Sequence, residues 1–235
     1  MVARIGLIGG LSWEATSCYY RYFNEFFEGP SPWSQPAVLI DSTDMARIVE
    51  LQRADDWTTT GEIMVDAAHR LFSAGASVLG IGANTMHHYY EVVAQAVTCE
   101  VVDIRECVAE DVKSLGGSRV GILGTAYVTQ QDFYAQGIEK WGVDVIRPDD
   151  AAVQELQRII FDELTQGIVL EQSRDRVLEM GASLVARGAD VVGLCCTEFG
   201  LLVGEHDANY AVVDSTKAHV RALLRSLSRL AAEST

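Results

Sequence analysis

One short pattern occurs twice in this chain, about half its length apart. An apolar run closing on glycine appears as RIGLIGG at 4–10 and again as RVGILGT at 119–125. Each run is too short for a helix and is bounded by turn-forming residues, so each reads as a buried strand. AVLIDST (37–43), SVLGIGANT (77–85), VDVIRP (143–148) and DVVGLCCTE (190–198) read the same way. Helical spacing fills the gaps, at 14–28, 57–75, 86–97, 106–115, 130–140, 151–166 and 171–187. Strand and helix alternate, which predicts an α/β fold with mainly parallel sheets.

The repeat extends beyond the first strands. SVLGIGANT ends on Ala83-Asn84-Thr85 where DVVGLCCTE ends on Cys196-Thr197-Glu198, in the same order relative to the two glycine-ended runs. HRLFSAGAS (69–77) and SLVARGAD (183–190) both break a helix at glycine before a strand. A period of this length predicts two pseudo-symmetric halves, each a mainly parallel sheet flanked by helices. The boundaries expected are 1–115 plus 210–235 for the first half and 116–209 for the second, because VVDSTKAHVRALLRSLSRLAAE reads as a strand end and a long amphipathic helix returning to the first half. Thr129, Asp149 or Asp150, and Gly167 are the expected helix start and stop signals. Ligands of parallel sheets gather at the carboxyl ends of strands, so the active site is expected in the cleft between the halves, around GANT, GT and CCTE.

Composition removes several alternatives. Asp and Glu outnumber Lys and Arg 33 to 18, for a formal charge of −15, which argues against nucleic acid as a partner. A dicarboxylate ligand would need a local cluster of donors rather than long-range attraction. With 49% hydrophobic and 22% charged residues the chain should fold throughout. MVARIGLIGG lacks the apolar core of a secretory signal, and no run reaches the ~18 apolar residues of a membrane span, so no membrane partner and a cytoplasmic location are expected. Five cysteines without a C-x-x-C should be thiols, and bridging Cys195 to Cys196 would strain the backbone. GLIGGLS lacks the G-x-G-x-x-G order, and His87-His88 has no second ligand pair, so neither a nucleotide loop nor a metal site is expected.

Cys196, at a predicted strand terminus, is the candidate acid/base. A thiolate suits proton abstraction beside a carboxylate, provided nearby N–H groups lower its pKa. The bland alternative is a buried core thiol. Asn84, Thr85, Thr125 and Thr197 are short donors able to bind a carboxylate, and Glu198 could hold an ammonium group. Gly10, in the first glycine-rich turn, could let the backbone approach a ligand. Strand-end capping is the competing role for these residues.

Six segments, IGLIGGLSWEAT, LQRADDW, GANTMH, LGTAYVTQQDFY, IIFDEL and GLCCTEFGLL, resemble in identity and order the motifs of the aspartate/glutamate racemase family across almost the whole chain. The resemblance implies an isomerase acting at Cα of an acidic amino acid, without pyridoxal phosphate or any other cofactor and without metal. It implies one cysteine per half on either side of Cα, and often a homodimer. Cys196 takes the second-half position, whereas Ala83 stands where the family has its first cysteine. Arg47 falls where some aspartate racemases bind the substrate carboxylate, but their lysine partner falls at Thr165; Gln52 is a comparable candidate. His87 completes the family's Asn-Thr-x-His pattern. The single cysteine leaves open a lyase or decarboxylase, as in the related arylmalonate decarboxylases, and a non-catalytic ligand-binding relative or inactivated variant.

Overall fold

The computed structural model describes residues 3–204 and 207–233. The chain divides into two compact units, Met1–Asp103 with His219–Thr235, and Ile104–Ala218. In the first unit the chain forms β1 (Ile5–Gly9), α1 (Trp13–Phe26), β2 (Val38–Ser42), α2 (Met45–Arg53), α3 (Trp57–Ser73) and β3 (Val78–Ile81). A 3₁₀ turn (Thr85–Tyr89) then leads into α4 (Tyr90–Ala96) and β4 (Glu100–Val102). The second unit begins with α5 (Ile104–Ser114), β5 (Arg119–Gly124), α6 (Ala126–Gln130), α7 (Asp132–Glu139), β6 (Asp144–Ile146) and α8 (Asp150–Arg158). It continues through α9 (Glu171–Ala186), β7 (Val191–Cys195), α10 (Phe199–Leu202) and β8 (Val212–Asp214); α11 (Ser215–Glu233) starts there and ends in the first unit.

The two sheets share one topology. Their strand orders are β2-β1-β3-β4 and β6-β5-β7-β8, and all pairings are parallel. In each, the first strand of the unit lies second in the sheet and pairs with the third. Helices cover these central strands on both faces, so every residue of β1, β3 and β7 is buried. Burying Ile5, Leu7 and Ile8 completely contributes roughly 1.5–3 kcal/mol each. Gly80 of β3 has a packing reason: a Cβ there would lie 2.7 Å from Leu223 Cδ1 and 3.1 Å from the His219 ring.

Caps settle several element ends. Asp149 accepts the Ala152 amide at 2.9 Å to start α8, and Gly167 adopts φ 73° at the end of the turn that follows it. Thr129 caps nothing. It lies inside α6 and donates back to Thr125 O, while Thr125 is the residue preceding that helix and accepts from Val128 N. The stretch 151–166 is α8 followed by a wide π turn (Ile159–Glu163) and a 3₁₀ turn (Leu164–Gln166), not one helix. Glu163 is buried in that wide turn, where Arg158 and Ser173 donate to it, the latter at 2.5 Å.

The compact units change over at Asp103–Ile104 and Ala218–His219, one helix before and one strand after the boundaries drawn from the sequence. α5 packs on α7, and β8 pairs with β7, which places both in the second unit.

Candidate active site

In the second unit, β7 runs out at Cys195, and the next three residues, Cys196, Thr197 and Glu198, are all buried. Strand alternation points the two cysteines to opposite sides. Cys195 is pushed up to about 12 by burial, and its neighbours include Tyr134 and Asp214. Cys196 joins a cluster with Ile159, Ile160, Leu164 and Phe199, but its thiol has a polar partner. Sγ donates to Glu198 Oε2 at 3.1 Å, and Thr197 Oγ1 donates to the same oxygen at 2.8 Å. Burial, and then the Glu198 carboxylate charge, push the Cys196 thiol well above the ordinary cysteine range. The expected lowering by backbone N–H groups is outweighed, because one amide cannot offset a desolvated site with a carboxylate beside it.

Register relates this strand end to its counterpart in the first unit. Gly124 pairs with Cys195, so Thr125, the first residue after β5, is level with Cys196. Ile8 pairs with Ile81, so Gly10, the first residue after β1, is level with Ala83. Ala83 thus holds in its sheet the position that Cys196 holds in the other. Its methyl group is half-buried against the first unit's core.

The other expected residues stand at separate places in the two units. Asn84 and Thr85 follow Ala83 directly, and Asn84 is buried. Gly10 has φ 72°, and a Cβ there would overlap the backbone N and O of Thr43, so the close approach it permits is to the end of β2. The Thr125 and Thr197 hydroxyls hold the α6 start and Glu198, respectively. Arg47 lies in the first turns of α2, with its side chain 54% exposed and paired to Glu50 at 3.5 Å; Gln52 is half-buried near the end of the same helix. Thr165 donates to Phe161 O within its own turn.

A set of buried rings in the first unit joins His87, tied by sequence only to the Asn-Thr-x-His pattern, to His219 and Tyr19, which no sequence motif singles out. His87 Nδ1 lies 2.9 Å from Ala83 O, and His219 Nε2 lies 3.1 Å from Val102 O. Since carbonyls only accept, both nitrogens carry protons, and His219 Nδ1 accepts from Tyr19 Oη at 2.8 Å. His219 is fully buried, and desolvation lowers its pKa to about 3. Among the described residues, no group of three or more His, Cys, Asp or Glu is arranged to hold a metal ion. No helix there is long and apolar enough to cross a membrane.

A family model described as Asp/Glu/Hydantoin racemase matches residues 8–223. The chain belongs to the Asp/Glu/Hydantoin racemase family. The Asp/Glu/Hydantoin racemase match takes in every candidate residue named above. A Yersinia pestis crystal structure described as a candidate Asp/Glu racemase is 35% identical, covers 96% of this chain and 99% of its own, and superposes with a TM-score of 0.87. An aspartate racemase homologue from Pyrococcus horikoshii is 31% identical, with coverage of 97% and 100% and a TM-score of 0.83. The broad specificity amino-acid racemase RacX of Bacillus subtilis is 21% identical over 218 residues, 90% of this chain and 92% of RacX. Within the Asp/Glu/Hydantoin racemase family, this chain is thus matched over nearly its full length.

Proposed function

We propose that this protein is a racemase-type isomerase that exchanges the Cα proton of a small amino acid of the aspartate/glutamate class, with Cys196 as its acid/base. The observation that carries this reading is the buried Cys196–Glu198 contact at the end of β7. Membership of a racemase family and similarity to RacX support an amino-acid substrate.

Cys196 rests as a thiol. To act as a base, its S–H bond breaks and the proton passes to Glu198 Oε2, 3.1 Å away. The thiolate then takes the Cα proton, and the carbanion recovers a proton from the thiol or from solvent. A substrate ammonium near Glu198 would cancel the charge that opposes thiol ionisation. Asn84 and Thr85 supply donors for the substrate carboxylate. Two-way racemisation needs a second acid on the other face of Cα, and Ala83 supplies none, so exchange should outrun inversion.

Incubation with L- and D-glutamate and L- and D-aspartate in deuterium oxide tests this, with loss of the α-proton signal followed by NMR. Exchange with at least one of them, reduced about 10²-fold or more by Cys196→Ser, is expected. Absence of exchange with all four would reject the substrate class.

Ala83 also favours a second reading, a single-cysteine lyase or decarboxylase. Release of carbon dioxide from substituted malonates, or of ammonia from amino acids, would support it; silence across that panel removes it. If Cys196→Ala leaves ligand affinity and biological activity unchanged, the protein is a binding relative instead.

A further inference from the structure

The turn after β3 contains an unusual hydrogen-bond exchange. In an α-helical continuation the His87 amide would bond to Ala83 O, four residues back. Here it bonds to Asn84 O at 3.1 Å, as 3₁₀ geometry requires, and the His87 ring supplies the donor that Ala83 O would otherwise have had, at 2.9 Å. The ring itself is firmly held. It is fully buried, meets the His219 ring edge-on at 5.5 Å, and lies parallel to Tyr90 at 6.4 Å. His219 in turn fills the space left by Gly80 and is fixed at both nitrogens.

We infer that His87 is a positioning residue for the proposed reaction, one that fixes the orientation of the Ala83–Asn84 peptide at the end of β3. A trans peptide is planar, with its C=O and N–H pointing in opposite directions. Holding Ala83 O on the buried imidazole therefore aims the Asn84 N–H away from the histidine cluster. His87 touches no reacting atom in this scheme, and its effect is on the geometry of the turn. The inference rests on the racemase reading for its catalytic consequence, while the effect on the turn is measurable without substrate.

The test compares His87→Asn, whose amide nitrogen sits near the place of Nδ1, with His87→Gln, whose amide lies one carbon farther out, and His87→Leu, which has no donor. Two quantities are read on each variant: backbone hydrogen exchange at the His87 and Gly82 amides, and kcat and KM for α-proton exchange. In the Gln and Leu variants amide exchange should quicken roughly five- to tenfold, the loss of one neutral hydrogen bond. Their kcat/KM should fall by up to about 10²-fold, as expected for misplaced binding groups. His87→Asn should restore both. Equal amide protection in all three variants would overturn the inference, whatever the catalytic result. If the wild-type protein exchanges no α-proton at all, the racemase reading fails, and the amide measurement still decides whether His87 holds the turn. Should His87→Leu fail to fold, the comparison of Asn with Gln decides the same question.

Discussion

Cys196 Sγ donates to Glu198 Oε2 across 3.1 Å, so this thiol at the end of β7 meets a carboxylate only two residues along the chain. Burial is the larger cause of its raised pKa and the carboxylate charge the next. Glu198→Gln removes the second cause but not the first. The pH midpoint for alkylation of Cys196 by iodoacetamide should therefore move down, while staying above that of an exposed cysteine. An unchanged midpoint would show that the carboxylate does not govern the thiol.

The same contact bears on stability at alkaline pH. A thiol whose folded pKa is raised stabilises the protein fully below the unfolded value of about 8.5, and that contribution is lost as pH rises toward the folded pKa. Denaturant midpoints measured from pH 7 to 10 should fall at the alkaline end, and less steeply in Cys196→Ala.

At acidic pH His219 contributes as well. Its pKa is lowered to about 3 from an ordinary 6.5, so its contribution is complete above pH 6.5 and is lost progressively as pH falls toward 3. Its imidazole should show no protonation shift by NMR between pH 7 and 5. His219→Gln, which can still donate to Val102 O, should be less stable at pH 7 but show a flatter acid limb.

Ala83→Cys places a thiol at the position level with Gly10. On the proposed mechanism the variant gains interconversion of both enantiomers, read by chiral chromatography, whereas the wild-type protein exchanges the α-proton with little inversion. Rapid two-way racemisation by the wild-type protein would remove the argument from Ala83.

Gly10 and Gly116 have nearly equal positive φ values, 72° and 78°, but only Gly10 faces the backbone of Thr43, while Gly116 has open space around it. Alanine at either position carries the cost of a left-handed residue, roughly 1 kcal/mol. Gly10→Ala should add about 1–3 kcal/mol for the overlap. Equal losses in urea unfolding would mean that the β2 end yields freely.

The features legible in the sequence are those with local causes. RIGLIGG and RVGILGT can be read as strands because they are buried on both faces, and Asp149 and Gly167 mark element ends by their side-chain or backbone chemistry. β4 escapes such a reading because VTCEVVDI (97–104) lacks the glycine and proline that bound the equally short edge strand β6 in GVDVIRP. α2 escapes it because only Ile48 and Leu51 of its nine residues are buried. Cys196 can be picked out by its place at a strand end, but its protonation cannot, since that depends on how Glu198 folds back and how deeply both are buried. The pairing of His219 with Tyr19 spans 200 residues of sequence and leaves no local trace.

The first unit is assembled from both ends of the chain, with Gly80 of β3 packed on His219 and Leu223 of α11. During synthesis, at about 5–20 residues per second, the stretch of α11 from His219 onward follows the whole of the second unit, so the first unit closes last. The β3 segment then waits, its glycine notch unfilled, until the last helix arrives. A stop codon before His219 would spare every residue of the second unit yet strand the first as an exposed sheet face, a substrate for chaperones and proteases rather than for chemistry.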